Sequence, residues 1–362
     1  MSGPGRDPLH DSLAGTVFAL PADADSGHDR FDLAEAVTVL SNYDLGVISA
    51  VQEFRRGSRR SPKLLLKCDR GPLILKRLAP GRDEPARIAF AHELQRALAA
   101  AAFPLPALFP SRSAETLVRL HGHSYELFEC VAGQTFDHSP EATFEAGATL
   151  GRFHEILAAA RPAGDPPTGS YHNLPGVLTS LAAIPERTAE PALAATATSL
   201  ASIYSAAAEH ARRAGLDHWP PQLIHGDWHP GNLLFRAGKV VAVIDYDTAR
   251  LQPRIIDLAN GALQFSLTRT EGDPESWPDT PDELRLKRFC QGYDSAVRTL
   301  VSRGEIQALP WLMVEAMIAE SALPIAATGK FGRLDPAPFL RMVERKARWI
   351  MSSAERISRI IN

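Results

Sequence analysis

The side chains best suited to chemistry are concentrated between Leu223 and Asp247, in the stretch LIHGDWHPGNLLFRAGKVVAVIDYD. Within it, Asp227, Asn232 and Asp245 offer carboxylate and amide oxygens. Mg²⁺ prefers oxygen ligands and usually takes only one or two from the protein, the rest coming from phosphates and water. Asn232 and Asp245 can supply them, which leaves Asp227 to orient an acceptor hydroxyl and take its proton. These residue types predict phosphoryl transfer from a magnesium nucleotide.

Two short apolar segments must hold this polar loop in place. Residues 223–224 precede the loop and the β-branched run of residues 240–244 follows it, so both are expected to be buried strands. A Pro-Gly turn interrupts the loop, and the apolar residues after it are expected to pair back across Ala237-Gly238 as a hairpin. A polar loop on a buried scaffold is a common location for an active site.

The string His-Gly-Asp-x-x-x-x-Asn, followed by Ile-Asp, resembles the catalytic and metal-binding loops of the aminoglycoside phosphotransferase and choline kinase superfamily. The strings Tyr43-Asp44-Leu45-Gly46 and Ile-Asp-x-Asp resemble those of its type II homoserine kinase and spore-coat kinase-like members. The spacing from Asp227 to Asn232 also equals that of the protein-kinase catalytic loop. The resemblance implies an α+β, bilobal, protein-kinase-like fold, with an antiparallel β-sheet N-lobe, one inserted helix and a larger, mostly helical C-lobe. It implies ATP and Mg²⁺ as cofactors, with Asp247 as a weaker third candidate for the metal site.

Two other interpretations of the same loop stay open. His225, Asp227 and His229 form an H-x-D-x-H pattern, which could be the zinc or iron cluster of a hydrolase, although that leaves Asn232 and Asp245 unexplained. Alternatively, His225 and His229 only brace the loop and Asp227 caps a turn, although this does not account for all three oxygen-bearing residues together.

Composition excludes several classes of function. A net charge of −3 gives no reason to expect a nucleic-acid or anionic-membrane partner, and no run approaches eighteen consecutive apolar residues. Three widely spaced cysteines indicate neither a disulfide framework nor a zinc site, so a reducing cytoplasm is expected.

The chain is long enough for two lobes. Residues 1–30 are expected to be a loosely ordered extension, residues 31–132 an N-terminal nucleotide-binding lobe, and residues 133–362 a helical C-terminal lobe with the catalytic and metal loops. Short β-rich runs with one Ala- and Leu-rich helix inserted after the third predict the N-terminal lobe.

Three features of that lobe are candidates for nucleotide binding. The resemblance implies that Lys76, on an apolar strand, pairs with Glu93 on the inserted helix and positions phosphates. The turn that contains Gly57 and Ser58 lies where backbone amides could approach phosphate, and Arg59 or Arg60 could add charge. A plain basic hairpin turn explains the same residues.

The segment from Leu127 to Gly133 resembles the hinge of these kinases. Adenine would then bond to main-chain groups of Glu129 and Val131, although an ordinary strand end fits the same residues. Two residues further along have structural roles in this interpretation: His154 as a packed histidine, and Asp257 as a helix cap or a brace for the catalytic loop.

The resemblance implies that the acceptor is a small-molecule hydroxyl compound: an amino alcohol, a homoserine-like molecule or a sugar. Glu315 and Glu320 lie on an apolar helix and could face a cationic substrate, although solvated helix charges are the commoner case. An aminoglycoside phosphotransferase, a serine/threonine protein kinase and a catalytically silent nucleotide-binding scaffold remain as alternative functions.

Overall fold

The computed structural model describes residues 29–54, 60–160, 166–268, 270 and 272–362. These residues form two compact units. The first unit contains the described part of Met1–Gln134 together with Val241–Asp247, and the second contains the described remainder. The segment with Asp245 and Asp247 therefore belongs to the same unit as Lys76, although it follows Asp227 in the sequence.

The first unit is built on a five-stranded antiparallel sheet of spatial order β1-β2-β3-β5-β4. Its strands are β1 (Ile48–Glu53), β2 (Lys63–Cys68), β3 (Gly71–Arg77), β4 (Val118–Leu120) and β5 (His123–Glu129). Helix α1 (Leu33–Leu40) precedes the sheet and helix α2 (Pro85–Ala100) is inserted after β3. The predicted N-terminal sheet with a single inserted helix is confirmed.

One face of this sheet forms the core of the first unit. Leu64 and Leu66 of β2, Leu73 and Leu75 of β3, and Leu127 of β5 point to that face, as the two-residue period of a strand requires. Buried side chains of α1 pack against them. The start of α1 is determined by a local interaction: the side chain of its N-cap residue, Asp32, accepts a hydrogen bond from the backbone N–H of Glu35.

The second unit is mostly helical. Its helices are α3 (Pro140–Ala159), α4 (Pro175–Arg187), α5 (Leu193–Arg213), α6 (Ile255–Ser266), α7 (Glu283–Ala296), α8 (Arg303–Thr328), α9 (Pro336–Ser352) and α10 (Ala354–Ile361). Short strands β6 (Gln222–Ile224) and β9 (Arg250–Gln252) pair with each other. Strands β7 (Leu233–Arg236) and β8 (Lys239–Val243) form the predicted hairpin across Ala237-Gly238. The expected α+β class, with a mostly helical C-terminal part, is thus confirmed.

Helices α3 and α7 approach each other through glycines. A Cβ atom added at Gly147 would lie 2.0 Å from the backbone oxygen of Phe289, and one added at Gly292 would lie 2.0 Å from that of Phe144. No side chain fits at either position, so the glycines set the distance between the two helices.

Helix α8 is the central helix of the second unit and packs against α4, α5, α6, α9 and α10. It starts at a capping box, in which Ser302 and Glu305 exchange side-chain and backbone hydrogen bonds. Within the described ranges it is the one helix long and apolar enough to span a membrane, but 78% of its most apolar window is buried inside the protein. That burial is typical of a core helix.

Candidate active site

The loop after β6 carries Asp227 and depends on Gly226. Gly226 has φ +77°, and a Cβ atom there would lie 2.5 Å from the backbone oxygen of Thr248. A side chain would be both strained and in collision, so the His-Gly-Asp string needs glycine at its centre.

Asp257 holds this loop from behind. Its buried carboxylate accepts the backbone N–H groups of His225 at 2.6 Å and Gly226 at 2.8 Å. His154 lies 3.3 Å from the same carboxylate through Nε2 and contacts the Tyr293 hydroxyl through Nδ1 at 2.8 Å. Asp257 is therefore the expected brace of the loop, and His154 is the expected packed histidine.

Asp227 is held through one carboxylate oxygen. The Asn232 Nδ2 donates to Asp227 Oδ2 at 3.1 Å and to the Asp227 backbone oxygen at 3.0 Å, while His229 Nε2 lies 3.5 Å from Oδ2. Burial would raise the pKa of Asp227, but the hydrogen bond and charge of His229 outweigh it and keep the pKa below its ordinary value. The Asp227 carboxylate is therefore ionised, and its side-chain contacts with Asn232 and His229 are made through Oδ2.

The hydrolase interpretation fails on geometry. No group of three His, Cys, Asp or Glu side chains in the described part of the chain converges as metal ligands would. His229 instead lies against Asp227, and the ring of His225 packs edge-on against Trp228 with centroids 5.4 Å apart.

In the first unit, three carboxylates surround Lys76. Its Nζ lies 3.4 Å from Asp245 Oδ1, 3.3 Å from Asp247 Oδ2 and 4.0 Å from Glu126 Oε2. Lys76 is 8% exposed. Burial would lower its pKa, but Asp247 and Asp245 outweigh this and hold the pKa above its ordinary value, so the lysine stays charged.

Glu93 does not pair with Lys76, contrary to the expectation from the resemblance. Its half-exposed side chain forms an ion pair with Arg96 one turn along α2. Glu126 is the glutamate beside Lys76 instead of Glu93, because it lies directly opposite Lys76 in the β3–β5 ladder. The neighbour of Glu93 on α2, His92, faces inward and contacts Glu126 Oε1 through Nε2 at 2.8 Å.

Helix α2 still contributes to this cluster. Through Nε and one terminal nitrogen, the Arg87 guanidinium donates to the Asp247 backbone oxygen at 2.9 and 2.6 Å. His92 is fixed on its other side by Thr116 Oγ1 at 2.7 Å from Nδ1. Burial favours the protonated form of Glu126, but His92 and Lys76 outweigh it and keep its pKa below the ordinary value.

A sequence model of the phosphotransferase enzyme family matches residues 50–301, more than half of the chain. The chain belongs to this family. It is therefore a phosphotransferase, as the loop motifs indicated. Among curated protein sequences, none matches the chain significantly.

Several solved structures share the fold of this phosphotransferase at low sequence identity. The amicoumacin kinase hAmiN, in complex with AMP-PNP, Ca²⁺ and Ami, has a TM-score of 0.65 and 14% identity, over 89% of this chain and 94% of that one. A microcompartment-associated aminopropanol kinase has a TM-score of 0.66 and 16% identity, over 90% of this chain and 99% of that one. The spectinomycin phosphotransferase APH(9)-Ia, in complex with ADP and spectinomycin, has a TM-score of 0.61 and 12% identity, over 90% and 99%. These neighbours confirm the kinase-like fold.

The phosphotransferase has a second lysine at the Lys76 cluster that the sequence did not reveal. Lys63 begins β2 directly opposite Lys76 in the β2–β3 ladder. Burial, together with the charge of Lys76, lowers its pKa to about 8, against the opposing effect of Asp245 and Asp247. The only signal in the sequence is a lysine at the start of β2 and another near the end of β3.

The charges of the first unit suit a divalent cation. Three carboxylates, those of Glu126, Asp245 and Asp247, surround Lys76. Burial raises the pKa of Asp247 against the opposing charge of Lys76, and the nearby charge of Asp245 raises it further. Asp245 has φ +68°, a left-handed conformation that Asp tolerates better than most residues. Among the described residues these carboxylates do not form a complete protein ligand set, which fits Mg²⁺, because this cation takes few oxygens from a protein.

The remaining predicted nucleotide contacts are partly outside the described residues. Gly57, Ser58 and Arg59 lie there. The Glu129 backbone N–H donates to the Ala107 oxygen at 2.9 Å, so it is already engaged. Cys130 N–H donates to the Pro72 oxygen at 2.9 Å.

The two glutamates of helix α8, Glu315 and Glu320, differ in burial and in their contacts. Glu315 is fully buried and accepts from the Asn173 backbone N–H at 2.9 Å, with His172 Nδ1 at 2.8 Å. It therefore anchors a loop. Glu320 is half-buried and interacts electrostatically with Asp227.

Proposed function

We propose that this phosphotransferase moves the γ-phosphate of ATP to a hydroxyl group of a small metabolite, with Mg²⁺ as the metal. The observation that carries the proposal is the Asp227 carboxylate, ionised and held through Oδ2 by Asn232 and His229. Its low pKa makes it an acceptor of hydrogen bonds across the neutral range, so it orients an incoming hydroxyl and takes the proton as the oxygen attacks.

Each unit contributes its own part of the machinery. In the first unit, charged Lys76 would hold phosphate oxygens, and Lys63 lies beside it as a second cation. Asp245 would bind the metal and Asp247 would support it. In the second unit, Asn232 would offer its Oδ1 to a cation, because its Nδ2 is engaged by Asp227. Bound Mg²⁺ would neutralise phosphate charge.

The structural neighbours support the choice of nucleotide and acceptor. The amicoumacin kinase carries AMP-PNP and the spectinomycin enzyme carries ADP, which supports ATP as donor. All three neighbours are named for small-molecule acceptors, and one of these is aminopropanol. An amino alcohol is therefore our first candidate, ahead of a homoserine-like molecule, a sugar or an aminoglycoside.

The setting of the proposed reaction is the cytoplasm. The three cysteines are free, and the small net charge offers no electrostatic attraction to nucleic acid or an anionic membrane.

The test is Mg²⁺-dependent ADP release by wild type and Asp227→Asn, with amino alcohols, sugars, aminoglycosides and a generic protein as acceptors. We expect stimulation by a small hydroxyl compound and a loss of about 10²- to 10⁴-fold in the variant. Asp217→Asn, with the same change at an exposed aspartate, is the matched control.

Stimulation by the protein acceptor alone would overturn the small-molecule proposal in favour of a protein kinase. ATP binding with no acceptor-dependent release across the panel would favour the silent scaffold.

A further inference from the structure

Glu320 is held by two amides of the neighbouring helix. Gln264 Nε2 donates to Glu320 Oε2, and the Asn260 side chain forms a second hydrogen bond with the same carboxylate. Asn260 and Gln264 are one turn apart on α6, so both face α8. Neutral amides orient the carboxylate without neutralising it.

The Glu320 carboxylate forms no ion pair with a lysine or arginine among the described residues. Asp227 lies near enough to repel it, and His229, which already contacts Asp227, is the neighbouring cationic group. The phenol of Tyr171, which is half-buried, also interacts with it. Two like charges close to each other in a partly buried site favour the binding of a cation.

Asn260 adds an independent observation. It is 3% exposed, and its Oδ1 has no hydrogen-bond partner among the residues that the structure describes. A buried acceptor without a partner costs free energy, so such atoms in native proteins call for an explanation. The Asn260 Oδ1 atom can accept a hydrogen bond, and the Glu320 carboxylate beside it can bind a positive charge. A ligand group with several N–H donors and a positive charge suits both, and an ammonium group has these properties.

We propose that Glu320, with Asn260, binds the ammonium group of an acceptor whose hydroxyl is held by Asp227. This inference rests on the proposed function and narrows it. The acceptor class is an amino alcohol in which a short carbon chain separates the amine from the reacting hydroxyl. Glu320 is then the residue that decides between an amine-bearing acceptor and its neutral analogue.

Glu315 cannot replace Glu320 in this role. It lies on the same helix, but His172 and the Asn173 backbone already occupy its carboxylate, and its side chain is fully buried. The selectivity therefore depends on one carboxylate.

The titration of Glu320 provides a second readout. Burial and the charge of Asp227 raise its pKa to about 7, against the opposing effects of His229, Asn260 and Gln264. Below that pH the neutral carboxyl attracts an ammonium group only weakly. The KM for an amine acceptor should therefore rise as the pH falls below about 7, and Glu320→Gln should remove the part of this dependence that is specific to amines.

The experiment compares acceptor pairs that differ only in the amine. kcat and KM are measured for 1-amino-2-propanol against 1,2-propanediol and for ethanolamine against ethylene glycol. The enzymes are wild type, Glu320→Gln and the control Glu209→Gln, which removes a half-exposed charge on α5 that pairs with Arg212 and Arg213. We expect Glu320→Gln to lower kcat/KM for the amines about 10- to 100-fold, mainly through KM, and to leave the diols nearly unchanged. The control should match wild type.

The outcomes separate this inference from the function on which it rests. Equal losses for amines and diols, or no loss at all, would overturn the role of Glu320 while phosphotransfer stands. A wild-type enzyme that turns over diols as well as amines would overturn it too. Absence of acceptor-dependent ADP release with every compound, including sugars and aminoglycosides, would instead reject the proposed function and the inference together.

Discussion

At the scale of single residues, the acidic partner of Lys76 is the main departure from the sequence-based expectation. Glu93 and His92 are adjacent in the sequence, but neighbouring helix positions point in different directions, about 100° apart on a helix of 3.6 residues per turn. His92 faces the sheet and Glu93 faces outward to Arg96. The partner of Lys76 is then fixed by the register of two strands, which no local pattern reveals.

This difference gives a paired prediction. Glu126→Gln should weaken ATP binding about 10-fold, because Lys76 and His92 lose the carboxylate between them. Glu93→Gln should change it less than 2-fold, because an exposed ion pair contributes at most about 1 kcal/mol. Calorimetric titration with ATP measures both. Similar losses in the two variants would restore Glu93 as the partner of Lys76.

Glu320 gives a prediction on stability with a definite sign. Its pKa in the folded state, about 7, is above the ordinary value of 4.5, so its stabilising contribution is present at low pH and is lost as the pH rises through about 7. Gln does not titrate. Glu320→Gln without ligand should therefore be more stable than wild type at pH 8, by on the order of 1–3 kcal/mol, and lose that advantage near pH 4.

Thermal unfolding of both proteins across this pH range measures the difference. A Glu320→Gln variant that is less stable than wild type at pH 8 would show that the charge is compensated in the folded enzyme.

Other residues were predictable because their signal is local. Gly226 and the spacing of Asp227 and Asn232 are properties of one loop, and the structure places both polar side chains in contact. Glu320 was identified only as one of two acids on an apolar helix. Which of them is satisfied depends on a loop more than a hundred residues earlier in the chain, at His172.

At the scale of elements, the α3–α7 contact is the tightest packing between helices described above. Gly292→Ala should destabilise the protein by about 1–3 kcal/mol, because the new methyl group would collide with the Phe144 backbone. Gly176→Ala is the matched control on α4, where a Cβ meets nothing within 4 Å. It should be neutral or slightly stabilising, since Ala restricts the unfolded chain.

Denaturant unfolding measures both glycine variants. Equal stability of Gly292→Ala and wild type would mean that α3 and α7 can separate without cost.

The observed boundaries of helices and strands agree with the predicted ones where the hydrophobic periodicity of the sequence is strong. The sequence predicts strands over residues 47–54, 63–68, 73–78, 116–120 and 125–128, and helices over residues 87–102, 141–160 and 193–215. The strands of the first unit and helices α2, α3 and α5 lie within a few residues of these bounds. The prolines and glycines of residues 161–175 predict a loop, and no helix was predicted after it. The structure has helix α4 there, beginning at Pro175. The apolar run predicts a helix over residues 311–322, but helix α8 begins at Arg303, since the capping box at Ser302 lies before that run.

At the scale of the whole molecule, the chain alternates between its two units. Asp227 and Asn232 belong to the second unit, whereas Asp245 and Asp247 return to the first, beside Lys76. The motif spacing predicted the family and the kinase-like fold, because both are encoded in short strings. The acceptor could not be predicted, since its contacts come from helices that are distant in sequence.

Ligand binding should stabilise the whole chain by mass action. Mg²⁺ with ADP at about 100 times the dissociation constant should add about 2.7 kcal/mol to the free energy of unfolding. Asp245→Asn should lose the Mg²⁺-dependent part and keep the part that ADP gives alone. Asp217→Asn, exposed and outside the site, should keep both. Differential scanning calorimetry with and without Mg²⁺ separates the two parts, and an unchanged Mg²⁺ effect in Asp245→Asn would exclude it as a ligand.

The position of Glu126 also bears on how the enzyme is controlled. A carboxylate on a separate helix can be withdrawn from its lysine when the helix rotates, which gives a kinase an off state. Here Lys76 and Glu126 are directly opposed residues on neighbouring strands of one hydrogen-bonded sheet. Separating them would require breaking the β3–β5 ladder. We therefore expect an enzyme that is constitutively competent, whose output in the cell is set by the supply of acceptor and by the amount of protein made.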